Sequence, residues 1–124
     1  MASRKKEESE KAIRLCGKQC VICGWNSKSI RGFSLVEGAH VKPVAELDGD
    51  CFDDIIALCP NHHAEFDAHK FYIDPKTMRI IHTDKNSIYH EKQVDISYVR
   101  KEYLAYRQYL FQKEQDNCLM AVSK

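Results

Sequence analysis

The chain has 124 residues, 44% of them apolar and 30% charged, which fits one soluble domain over residues 1–124 with a modest core. Nineteen basic against eighteen acidic side chains leave a net charge of +1, so bulk charge advertises no nucleic-acid partner, although local patches act where the sum does not. No apolar run approaches the ~20 residues of a membrane span, and Met1-Ala2-Ser3-Arg4-Lys5-Lys6-Glu7-Glu8 lacks an apolar h-region, so the expected compartment is cytoplasmic.

Residues 5–16 hold good helix formers with Ala12, Ile13 and Cys16 as a thin apolar stripe, predicting a first helix. Arg4-Lys5-Lys6, followed at once by Glu7, Glu8 and Glu10, reads as its solvated start. Gly17 and Gly24 flank Cys20-x-x-Cys23, where backbone turns tightly around a ligand. Residues 34–40 read as a short strand delivering His40 to its end, and Pro43, which lacks an amide, takes the chain out of any ladder. A polar loop containing Asp48-Gly49-Asp50 is expected over residues 44–53. Residues 54–59, rich in β-branched and apolar types, predict a second strand, and Pro60 suits the first position of a helix over about 60–68.

Residues 71–74 and 78–82 predict a hairpin turned at Asp74-Pro75-Lys76-Thr77. Ile96, Val99, Tyr103, Tyr106 and Leu110 follow helical spacing, predicting a helix over about 95–114 with Asp95 or Ser97 as N-cap and fraying from Gln115. Core packing explains this stripe better than a base-stacking platform does, and it is also the surface expected to serve a homodimer.

Six cysteines would suit disulfides in a secreted chain, but the spacings point to metal in a reducing compartment. Cys20-x-x-Cys23 and Cys59-x-x-His62 are two half-sites whose two-residue spacers let each pair face one ion, closing a tetrahedral Zn²⁺ site. Four protein ligands leave no open position, so this zinc is structural. Cys16, Cys51 and Cys118 have no partner spacing and read as ordinary, partly buried thiols. A thiol–disulfide oxidoreductase built on Cys20-Val21-Ile22-Cys23 is a poor alternative, because that motif would open a helix with no Cys-x-x-His downstream. His40 and His63 are left over once the zinc set is filled. His69, His82 and His90 read as structural or surface groups.

Gly38-Ala39-His40-Val41-Lys42-Pro43, followed by Asp53-Asp54-Ile55-Ile56-Ala57-Leu58-Cys59-Pro60-Asn61-His62-His63-Ala64-Glu65-Phe66-Asp67, resembles the HNH endonuclease superfamily in its zinc-stabilised form. The likeness covers about residues 18–75 and includes the zinc cysteines. It implies an α+β fold: a ββα-metal core braced by a Cys3His structural zinc, with an added hairpin and flanking N- and C-terminal helices. It further implies metal-dependent hydrolysis of DNA phosphodiesters, with His40 as general base and His63, on the helix, holding a catalytic divalent cation. Mg²⁺ is the expected ion, with Mn²⁺ and Ni²⁺ as the others to consider.

Two positions depart from the family pattern. Ala39 stands where many members carry a second metal ligand, and Asp54 stands where the family usually has asparagine. Asp54 compensates if its carboxylate joins His63 on the ion; alternatively it only accepts backbone hydrogen bonds. Glu37, about 7 Å along the strand from Ala39, and Asp53 and Asp67 are further ligand candidates. The implied partner is DNA, double-stranded in the leading expectation, with Lys42, Lys70, Lys76 and Arg79 available to phosphates. The second reading is a catalytically inactive, zinc-stabilised DNA-binding or adaptor module, favoured by Ala39 and Asp54 and opposed by the retention of His40 and His63.

Overall fold

A computed structural model describes residues 2–43 and 51–122, with side chains over 7–43 and 51–118. The expected loop around Asp48-Gly49-Asp50, and the side chains of Arg4-Lys5-Lys6, lie outside the described residues. The centre of the fold is a two-stranded antiparallel sheet of β1 (Glu37–His40) and β2 (Ile55–Leu58), with Glu37 opposite Leu58 and His40 opposite Ile55. All four β2 residues are buried, because helices cover both faces. Ala57 packs with Cys16 and Val36 beneath α1 (Ala2–Leu15), while Ile56 and Leu58 join the main core with Phe66 of α2 (Pro60–Asp67).

Both strands are shorter than their sequence patterns suggest. Ser34 pairs only with Lys28, in an isolated bridge, so residues 34–36 belong to the preceding loop. Asp54 ends a 3-10 turn, Phe52–Asp54, that aims its side chain into the protein. The α2 helix follows expectation: Pro60 occupies its first turn, where a missing amide costs nothing, and the Cys59 side chain caps it by accepting the His62 N–H.

The hairpin forms as predicted from β3 (Phe71–Ile73) and β4 (Ile80–His82), and Asp74 Oδ1 accepts the Lys76 N–H at 2.8 Å inside the turn. The C-terminal helix α3 (Lys101–Val122) begins six residues after the expected start and remains helical beyond Gln115. The early start fails because Ile96 and Val99 are brought together by a turn, with Val99 N–H donating to Ile96 O, and not by helix. Arg100 N–H is donated to Asp53 O across the fold, so neither Asp95 nor Ser97 caps the helix. The buried face of α3 is Leu104, Arg107 and Phe111, one residue out of step with Tyr103, Tyr106 and Leu110, which are half-buried. Cys51 and Cys118 are exposed, where partial burial was expected; Cys16 is buried. Among the described residues no helix is long and apolar enough to cross a membrane.

Candidate active site and metal centre

Cys20, Cys23, Cys59 and His62 come together with all ligand atoms within 4.8 Å of one another. His62 Nδ1 lies 3.3 Å from Cys59 Sγ and 3.7 Å from Cys20 Sγ, and the Cys23 and Cys59 sulfurs are 4.0 Å apart. Zinc bonds of about 2.3 Å to sulfur and about 2.0 Å to nitrogen put tetrahedral ligand atoms roughly 3.5–3.8 Å apart, so the four residues could hold Zn²⁺ after small adjustments. Burial pushes the Cys59 thiol up to about 11 and pulls His62 below its usual value. A bound cation offsets the first effect, and the second keeps the imidazole neutral, as a ligand must be. The group also sits at a structural junction. Cys59 Sγ caps α2, His62 packs edge-on to Phe71 and Tyr89, and the Lys92 ammonium donates to Ile22 O within the first half-site.

His40 closes β1, where the strand bends away at Val41. Its Nδ1 lies 3.1 Å from Asp54 Oδ2, and Asp54 Oδ1 accepts the Lys42 N–H at 2.8 Å. A carboxylate only accepts, so the ring hydrogen belongs on Nδ1 and Nε2 carries the lone pair. Asp54 is fully buried and both of its oxygens are committed here. In this arrangement Asp54 holds His40 and the backbone of Lys42.

Sequence reasoning missed the second support of His40. Arg107, from α3, is 5% exposed and donates through Nε to Val41 O at 2.7 Å and through Nη2 to His40 O at 2.7 Å, while stacking 4.2 Å above the Phe66 ring. Burial lowers its pKa, with Asp67 and Asp54 opposing. It fastens the end of β1 to α3.

His63 stands half-buried on α2 between two carboxylates. Glu37 Oε1, from the start of β1, lies 2.8 Å from Nδ1, and Asp67 Oδ2, one helical turn on, lies 3.4 Å from Nε2. The two carboxylates approach opposite ring nitrogens, so an imidazole and one carboxylate oxygen on one side offer a hard divalent ion a partial ligand set. In such a site one ring nitrogen ligates while the other is oriented by a carboxylate. Of the remaining candidates, Asp53 pairs with Arg100 at 3.0 Å, away from this role, and Arg79 donates to Glu91 O. Lys42 Nζ lies 4.8 Å from the Tyr106 ring centre. His82 and His90 are structural: their Nδ1 atoms accept the Asp84 and His82 amides.

A family model described as HNH endonuclease matches residues 20–74. Among solved structures the chain is similar to one titled "Modification dependent TagI restriction endonuclease", with a TM-score of 0.69 and 20% identity. That match covers 84% of this chain and 37% of the other, so this chain spans little more than a third of its length. A comparison with curated proteins gives no match. The matched stretch contains the whole Cys3His group, His40, Asp54 and His63, and over it the chain is similar to the HNH endonucleases.

Proposed function

We propose that this chain is a metal-dependent endonuclease that hydrolyses phosphodiester bonds of double-stranded DNA in the cytoplasm. His40 is its general base, Asp54 positions His40, and His63 holds the divalent ion, Mg²⁺ or else Mn²⁺ or Ni²⁺, through one ring nitrogen, with one of Glu37 and Asp67 beside the ion and the other orienting the ring. The observation that carries this reading is the buried Asp54 carboxylate on His40 Nδ1. A histidine kept only for packing needs no such partner. Nε2 takes a proton from water, the water oxygen bonds to phosphorus, and the 3′-oxygen leaves as that P–O bond breaks. A divalent ion beside His63 supplies stabilisation of the charge gathering on phosphate and leaving oxygen. Cutting both strands at one place requires two such sites, and we assign the Tyr106–Tyr109 pair of α3, ring centres 6.0 Å apart, to a second copy.

The test is supercoiled plasmid incubated with the zinc-loaded protein in Mg²⁺, Mn²⁺ or Ni²⁺, beside His40→Ala and an EDTA control. Metal-dependent nicking or linearisation that disappears with His40→Ala is the expected outcome. Retained DNA binding without cleavage in any metal would replace this reading with the inactive DNA-binding module that Ala39 favours.

A further inference from the structure

Charge is segregated along this chain far more than its net value suggests. Between Glu10 and Glu37 stand Lys11, Arg14, Lys18, Lys28 and Arg31 and no acid, leaving 14 of the 19 basic groups to face all 18 acidic ones elsewhere. Within this stretch residues 27–35 fold back on themselves as a finger. Leu35 N–H donates to Ser27 O at 3.0 Å, Ser29 N–H donates to Phe33 O at 2.8 Å, and Lys28 bridges Ser34. At its end Gly32 N–H donates to Ser29 O at 2.8 Å with Gly32 at φ +87°, the left-handed residue that closes a three-residue hairpin loop. Ser29 Oγ accepts a further bond from Phe33 N–H.

This tip is held by hydrogen bonds and displays what a folded surface ordinarily covers. Ile30 is fully exposed and Phe33 is 69% exposed. Lys28 and Arg31 enter no ion pair among the described residues. Apolar side chains flanked by unneutralised cations match a groove lined by phosphates, where wedges of this kind enter between bases. The finger also leads directly to the site. Phe33 precedes Glu37 by four residues, at most about 14 Å of chain, comparable with the ~12 Å width of a major groove.

We propose that the 27–35 finger is a second DNA contact, in which Lys28 and Arg31 hold backbone phosphates while Ile30 and Phe33 enter the groove between them. This rests on the nuclease reading above. The test uses full-length, zinc-loaded His40→Ala protein in Ca²⁺, titrated against a fluorescent duplex of about 20 base pairs from about 50 to about 200 mM salt. Adding Lys28→Gln and Arg31→Gln lowers the log–log salt slope by about 2 and weakens binding about tenfold. Adding Ile30→Ser and Phe33→Ser weakens binding roughly fivefold with the slope unchanged, as groove contact without phosphate contact requires. Circular dichroism and zinc content confirm that each variant is folded. If the parent binds and both pairs match it, the finger proposal is overturned while the nuclease reading stands. If the apolar pair alters only sedimentation, the tip is a surface between copies and the proposal is likewise overturned. If the parent holds no duplex at all, the DNA reading falls and takes the finger with it.

Discussion

A carboxylate taken fully out of water costs on the order of several kcal/mol unless its oxygens are matched, and Asp54 is matched by one imidazole and one amide. Asp54→Asn keeps an oxygen for the Lys42 amide but turns an NH₂ toward His40 Nδ1. The imidazole then carries its hydrogen on Nε2, where the base must be empty. Single-turnover plasmid cleavage is expected to fall on the order of 100-fold, with no recovery as divalent ion is raised. Recovery with added ion would return Asp54 to the role of metal ligand. Arg107 makes a second demand of the same kind, because its guanidinium satisfies the carbonyls of His40 and Val41 in the interior. Arg107→Met keeps the bulk and removes the donors, so urea unfolding of zinc-loaded protein should show a loss of about 3 kcal/mol; a loss under about 1 kcal/mol would mean that water reaches those carbonyls. Position in a motif made Asp54 legible in the sequence, but residue type alone did not tell ligand from support. Arg107 was not legible, since an arginine in an amphipathic helix reads as surface until its neighbours Leu104 and Phe111 are seen to be buried.

Gly38 shows how closely the elements approach. A methyl group placed there would run into Ser9 Oγ of α1 and meet Ile55 Cγ2 of β2 at 3.1 Å. The serine can rotate away; the isoleucine, held in β2, yields less easily. Gly38→Ala should therefore destabilise by about 1–2 kcal/mol, and Ser9→Ala in the same chain should return part of that loss in a double-mutant cycle. Strict additivity of the two would mean that α1 does not seat on the strand in this way. Elements whose signals were local chemistry followed the sequence closely: Pro60 opened α2, and the Asp74 turn closed the hairpin. The start of α3 did not, because an i, i+3 apolar spacing at Ile96 and Val99 serves a buried turn as well as a helix. The choice was made by Arg100 N–H bonding to Asp53 O, 47 residues away in the chain. The finger escaped notice for a related reason: its lone cue, Gly32, marks a turn without saying what the turn displays.

Across the whole molecule, the elements that carry His40 and His63 are tied to the C-terminal half at the junction of α2, β3 and α3, and His69 occupies that junction. It holds φ +59° just past the end of α2, its Nδ1 is buried, and no hydrogen bond reaches that atom among the described residues. Burial, aided by Arg107, lowers its pKa below the usual histidine value, with Glu114 and Asp67 opposing. The unfolded chain thus binds a proton at a higher pH than the folded one does. Stability from this group is complete above the ordinary value of about 6.5 and drains away as pH falls through the lowered folded value. His69→Asn removes the titration while supplying the residue, after glycine, best suited to left-handed backbone. Zinc-saturated wild type should therefore lose more of its urea midpoint between pH 7.5 and pH 5.5 than His69→Asn does. Both proteins lose zinc ligation alike on acidification, so the difference between the two curves isolates His69. Parallel curves would show that α2 and α3 separate enough to let water reach the ring, and that the clasp Arg107 places on His40 is looser than its hydrogen bonds imply.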